Sequence, residues 1–207
     1  MPVVPSPQMP DWNWITNRIA IGSEPSAADV RVMRQQGITD VLDLRGEPTA
    51  NGPAERPEPQ LYMGSGIAYH YVPMRDRGAP APGSADDLAF RRAYEHGVSV
   101  IQYAMSDPSR RILVHCAAGE NRSPSMVYAY LRSAGMSPTD AQDMIVAHRT
   151  VATNQYTATA ERAVPYLPKP PPPVLVRRIT AGVVVAAGVA AVLYALYPDE
   201  IRKALST

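Results

Sequence analysis

Cysteine is almost missing from this chain: Cys116 is the only one in 207 residues. A lone thiol excludes an internal disulfide and points to a reducing compartment, where a thiolate keeps its working form. A charge of one sign is missing too. Twenty Lys and Arg against 19 Asp and Glu leave a formal net charge of +1. That excludes a nucleic-acid grip built on bulk charge, and no nucleic-acid partner is expected. His70, His96 and His148 stand at no metal-ligand spacing from Cys116, so no metal and no cofactor is expected. The first eleven residues, MPVVPSPQMPD, lack both the basic start and the apolar core of a signal peptide. They read as a Pro-punctuated disordered arm over 1–11.

What the chain has in excess is proline, 22 residues, about twice ordinary usage. The run from Trp12 to Ile21 reads as a strand, with Trp12 and Trp14 as packing residues. Ser26 is a natural N-cap for a short helix to Gln36, and Gly37 stops it. Ile38–Leu44 is a buried strand, followed by a Pro/Gly-rich loop to Pro59 whose Glu47, Glu55, Arg56 and Glu58 read as solvated surface. Ala68–Met74 is the next strand. Asp86–Met105 is a long helix, which Ser84-Ala-Asp-Asp opens with a cap and acids that favour its dipole. Helices over 123–133 and 137–148 follow.

One stretch carries chemistry. Ile112-Leu113-Val114 leads into His115-Cys116, then the small-residue turn Ala117-Ala118-Gly119, then Glu120-Asn121-Arg122-Ser123 and a helix with Pro124 in its first turn. Strand, tight loop and helix start aim several backbone N–H groups at one spot. A thiol at such a spot, beside a cation, ionises at roughly pH 3.5–7.5. The same donors hold a tetrahedral oxyanion, and the planar guanidinium of Arg122 grips two of its oxygens. Gly119 gives the loop the backbone freedom to wrap an anion. Ser123 offers a hydroxyl that eases departure of the thiolate. His115 reads as an orienting residue, not a general base.

The run from His115 to Ser123 resembles the His-Cys-x5-Arg-Ser/Thr loop of the cysteine-dependent protein tyrosine phosphatases. Ile19-Ala-Ile-Gly-Ser-Glu-Pro, Gly37-Ile-Thr-Asp-Val-Leu-Asp-Leu-Arg-Gly-Glu, Tyr69-His-Tyr-Val-Pro-Met-Arg-Asp and Ala147-His-Arg-Thr with Asn154 fall in the order of the dual-specificity branch. The resemblance covers about residues 12–164. It implies an α/β fold, a central mainly parallel sheet flanked by helices. It also implies a metal-independent phosphomonoester hydrolase that forms a cysteinyl-phosphate. Cys116, Arg122 and Ser123 would be catalytic, and His115, Ala117, Ala118, Gly119, Glu120 and Asn121 would complete the phosphate-binding loop.

The family also uses an aspartate, on the loop after a strand, to protonate the leaving oxygen. Asp76 is the candidate, with Asp86 and Asp87 as rivals. It precedes Cys116 by 40 residues, and Ala79-Pro-Ala-Pro-Gly83 reads as extra length inserted in the acid loop. Arg75 and Arg77 read as solvated charges. Phosphotyrosine and phosphoserine/threonine proteins are the leading substrates. A phosphoinositide and a phosphate-binding scaffold of weak activity stay open, although the loop holds no lysine to meet extra phosphates. An RNA 5′-triphosphatase is disfavoured by the charge, and a rhodanese-like sulfurtransferase by Arg122-Ser123.

The end of the chain is different in kind. A Pro-rich linker over 165–178 precedes Ile179–Tyr197, nineteen uncharged residues. As a helix this run is about 28 Å long, close to a bilayer's hydrocarbon thickness. It is expected to be a C-terminal transmembrane anchor, followed by a polar tail over 198–207. Lys169, Arg177 and Arg178 precede it, whereas Asp199, Glu200, Arg202 and Lys203 cancel after it. The positive-inside rule then puts the catalytic domain on the cytoplasmic face.

Overall fold

The computed structural model describes residues 10–46 and 57–170. The expected anchor, the polar tail, most of the linker, the first nine residues, and Glu47, Glu55 and Arg56 lie outside the described residues. Among the described residues no helix is long and apolar enough to cross a membrane.

A five-stranded mixed sheet forms the centre: β1 (Trp12–Trp14), β2 (Ile19–Gly22), β3 (Asp40–Asp43), β4 (Ala68–Tyr71) and β5 (Ile112–His115). Their order across the sheet is β1-β2-β5-β3-β4. The last four are parallel, and β1 is an antiparallel edge on β2. The single strand expected over Trp12–Ile21 is therefore a hairpin. Thr16 Oγ1 accepts from the Arg18 and Ile19 amides at 3.1 and 3.0 Å, and this side-chain turn reverses the chain between two runs of β-formers.

Strands β2, β3 and β5 are buried along their whole length, and their apolar residues sort by parity onto two faces. Ile19, Ile21, Leu42, Ile112 and Val114 join the larger core under the helices α2 (Ala85–Ser106), α3 (Arg122–Ser133), α4 (Pro138–His148) and α5 (Thr157–Ala163). Ala20, Val41 and Leu113 face the other way, toward α1 (Ala27–Gln35) and a 3-10 turn at Pro59–Tyr62. Helix α1 opens with a capping box, Ser26 with Asp29, and α2 opens with Ser84 accepting from the Asp87 amide at 3.1 Å. The side chain of Met126 on α3 fills the space beside Gly97 on α2, where a Cβ would fall 2.4 Å from Met126 Cε.

Two boundaries differ from the sequence reading. Asp11, assigned to the N-terminal arm, is ion-paired to Arg149 at 3.1 Å. At the other end Leu167 is buried and the Pro168 carbonyl accepts from Gln102 Nε2 at 2.7 Å, so the first residues of the linker dock on the domain. Gly22, His115, Asp43 and Tyr71 stand level at the ends of β2, β5, β3 and β4. Open α/β sheets bind ligands at that carboxyl edge.

Candidate active site

Cys116 follows β5 directly, and the next five residues curl back under its side chain before α3 begins at Arg122. Four consecutive carbonyls of this loop are bound from outside. Ala117 accepts from the Glu24 amide at 3.0 Å and Glu120 from the Thr153 amide at 2.8 Å. Ala118 and Gly119 accept from the Arg149 guanidinium at 3.1 and 2.6 Å. In a trans peptide the N–H points opposite to the C=O before it. Turning the carbonyls of 117–120 outward therefore turns the amides of 118–121 inward. The Gly119 amide donates to Cys116 Sγ at 3.3 Å, which is where that geometry puts it.

Gly119 is irreplaceable in this turn. Its φ is +69°, and a Cβ there would fall 2.3 Å from Arg149 Nη2 and 2.6 Å from the Gly22 carbonyl carbon. Arg149 is itself only 1% exposed. It is neutralised by Asp11 and bound by Asn13 Oδ1 at 2.9 Å. Asp11 lies below the ordinary carboxylate pKa because of its hydrogen bond to Arg149. So the chain's N-terminal segment, through one buried guanidinium, braces the loop.

The sequence-predicted residues come together around Cys116, which is 2% exposed. Ser123 Oγ lies 3.4 Å from Sγ and 3.4 Å from the Gly22 carbonyl oxygen. Arg122 is buried, donates to the Met74 carbonyl at 3.2 Å and places Nε 3.4 Å from Asp76 Oδ2. The carboxyl of Asp76 therefore stands across the loop's mouth, 30% exposed. Its second oxygen accepts from the Tyr156 hydroxyl at 2.7 Å. The rivals are elsewhere: Asp86 pairs with Arg75 at 3.5 Å, and Asp87 binds Arg162 at 2.7 Å. Asn121 faces outward, its Oδ1 accepting from Thr153 Oγ1 at 2.5 Å. The structure thus adds Arg149, Asp11, Asn13 and Tyr156 to the motif's own residues.

His115 is fully buried beneath the loop. Its Nδ1 lies 3.4 Å from the Cys116 carbonyl oxygen, and its Nε2 faces Asp43 at 3.7 Å. Neither nitrogen addresses the thiol. Burial pushes its pKa from 6.5 down to about 4, so the ring is neutral at pH 7. Asp43 is held by Arg45 Nη2 at 2.9 Å and by the Tyr69 hydroxyl at 2.7 Å. Burial raises its pKa, and the Arg45 bonds more than offset that, leaving it below the ordinary carboxylate value.

A pH dependence of stability follows. The unfolded histidine takes up a proton below pH 6.5, whereas the folded one resists until about 4. The unfolded state thus binds more protons in that window, and stability falls as pH falls through it, by about 3 kcal/mol in full. Asp43, with a lowered pKa, loses its contribution only below this range. Urea unfolding at pH 6.8 and 4.5 measures the drop, and His115→Gln is expected to flatten it. An equal drop in that variant would assign it elsewhere.

Comparison with known proteins extends the likeness beyond the loop. The family model described as dual specificity phosphatase, catalytic domain, matches residues 19–159. Dual specificity protein phosphatase 26 of Bos taurus is 35% identical over 111 residues, which cover 54% of this chain and 46% of that protein. The match thus spans about half the length of that relative. Tk-PTP in its active form superposes with a TM-score of 0.58 at 19% identity, over 77% of this chain and 100% of that one. A mouse dual specificity phosphatase bearing zinc tungstate does so at 0.57 and 21%, over 79% and 92%. At these identities the two structures establish the shared fold.

Proposed function

This chain belongs to the dual-specificity phosphatase catalytic-domain family, and from that premise we propose that it hydrolyses phosphomonoesters of proteins through Cys116. The observation that carries this reading is the enclosure of Sγ between the Gly119 amide at 3.3 Å and Ser123 Oγ at 3.4 Å, with Arg122 reaching Asp76 at 3.4 Å across the same loop. Arg122, six residues after the cysteine, thus links the loop that holds the nucleophile to the residue proposed as the acid.

In the first step the Cys116 thiolate attacks phosphorus in line, and an S–P bond forms as the ester O–P bond breaks. The inward amides of 118–121 and the Arg122 guanidinium hold the equatorial oxygens, where charge concentrates in the transition state. Asp76 gives its proton to the leaving oxygen, so an alcohol departs in place of an alkoxide. In the second step Asp76, now a carboxylate, takes a proton from water as the water oxygen attacks phosphorus. The S–P bond breaks, and Ser123 donates to the departing thiolate. Inorganic phosphate leaves, and thiolate and protonated Asp76 are restored. His115 takes no proton in either step, because it is buried, neutral and turned away.

Phosphorylated proteins are the proposed substrates, with phosphoinositides as the second reading because an anchored domain meets lipid headgroups. The anchor is proposed over 179–197 with the domain on the cytoplasmic face, on hydropathy and flanking charge alone. One preparation of the full chain tests all of this. In chelator it is mixed with a phosphotyrosine peptide, a phosphoserine peptide and a phosphoinositide, then acid-quenched to trap phosphocysteine. The expected result is turnover of the peptides with label on Cys116, and sedimentation with membranes that is lost when 179–207 is deleted. Faster turnover of the lipid would favour the second reading. Binding without turnover would favour a scaffold, and a soluble full chain would remove the anchor.

A further inference from the structure

Tyr156 belongs to none of the sequence motifs. It is the N-cap residue of α5, fully buried, with its ring 5.2 Å from that of Phe90 on α2. Its hydroxyl donates to Asp76 Oδ1 at 2.7 Å and accepts from the Gly78 amide at 3.1 Å. A phenol has one proton to give, so both the giving and the accepting side are committed to the loop that carries Asp76. Helix α5 holds that loop a second time, where Arg162 Nη2 donates to the Pro80 carbonyl at 3.2 Å. A loop lengthened by Ala79-Pro-Ala-Pro-Gly83 gains its anchors from outside itself.

We propose that Tyr156 is a positioning residue for the acid: its hydroxyl holds the Asp76 carboxyl over the phosphate loop and fixes which oxygen delivers the proton. Oδ1 is occupied as an acceptor, so a transferable proton resides on Oδ2. Oδ2 is the oxygen that faces Arg122 at 3.4 Å, the side of the carboxyl turned toward the loop's own guanidinium. The Gly78 contact fixes the loop two residues on, so the carboxyl is held in position and in rotation. This role rests on the reading of Asp76 as the acid.

A lost positioning residue and a lost packing residue differ in one observable. Protonation matters most when the leaving oxygen is basic and least when it departs readily as an anion. The full chain, Y156F, D76N and the double variant are assayed on 4-nitrophenyl phosphate, phenyl phosphate and a phosphotyrosine peptide. Y156F removes one oxygen and keeps the ring against Phe90. Its kcat/KM, which reports formation of the cysteinyl-phosphate and not its later hydrolysis, is expected to fall about 10- to 100-fold on phenyl phosphate and the peptide. On 4-nitrophenyl phosphate the loss is expected to stay under about 3-fold, and adding Y156F to D76N is expected to cost nothing further. Alkylation of Cys116 by iodoacetate is expected to run at the wild-type rate, since the phosphate loop is untouched.

An equal loss on all three substrates, a further loss in the D76N background, or slowed alkylation would each overturn the proposal. If D76N itself shows no dependence on the leaving group, Asp76 is not the acid and the role of Tyr156 falls with it. A wild-type chain inert on every phosphate would instead sink the proposed function.

Discussion

Replacing Cys116 with serine is expected to lower kcat/KM on any phosphomonoester by about 10⁵-fold while the fold stays intact. A serine hydroxyl at this position has the same oxyanion donors around it, yet it cannot ionise as a thiol does, and nothing nearby can take its proton. The nearest imidazole, His115, presents Nδ1 to the Cys116 carbonyl and Nε2 to Asp43, and burial keeps its pKa near 4. Ser123 lies within 3.4 Å but its proton goes toward Sγ or the Gly22 carbonyl. Asp76 is held by Arg122 and Tyr156 at the mouth of the loop. The serine variant should retain affinity for phosphate or tungstate, because the inward amides and Arg122 remain. Steady-state assay together with oxyanion binding by calorimetry makes the comparison. Residual activity within about 100-fold of wild type would require a different nucleophile.

The phosphate loop was legible because its chemistry is written in consecutive residues. Cys116, Gly119, Arg122 and Ser123 each have a local reason for their spacing, and the loop that holds them is closed by one strand end and one helix start. The place of Asp76 beside Arg122 was legible for a weaker reason, its position after a strand, and its neighbours Asp86 and Asp87 had to be separated from it by the Ser84 cap. Arg149 shows where such reading stops. It sits 33 residues beyond Cys116 at the end of a helix, and only the packing of α4 brings its guanidinium onto the Ala118 and Gly119 carbonyls. Asp11 looked like the last residue of a Pro-rich arm, since its partner lies 138 residues away. Helix α5, with the sequence TATAERA, has no apolar stripe to announce it, so Tyr156 before it had no context. The hairpin was hidden for a different reason: Trp12–Ile21 is rich in β-formers and holds no glycine or proline to announce a break, and the turn is made by the Thr16 side chain.

Arg122→Lys is expected to reduce kcat by about 10³-fold on aryl phosphates, with a smaller rise in KM. The substitution keeps the charge, so the size of the loss measures what the guanidinium's shape contributes. Arg122 is 1% exposed and its Nη1 donates to the Met74 carbonyl at 3.2 Å while Nε faces Asp76 at 3.4 Å. One planar group therefore spans the loop of Cys116 and the loop of Asp76, and its fork can match two oxygens of a phosphoryl group as it flattens in the transition state. An ammonium is a compact point charge without the planar fork that matches these partners together. Leaving the Met74 carbonyl without its donor also costs about 1–3 kcal/mol of stability, so the lysine variant should melt several degrees lower. Both losses come from the same atoms but respond differently to ligand. Saturating tungstate should restore much of the melting temperature, because an oxyanion gives the lysine a partner, yet it cannot restore the geometry of transfer. A lysine variant with near-wild-type kcat would mean that charge alone stabilises the transition state, and that the bridge from Arg122 to Asp76 has no part in turnover.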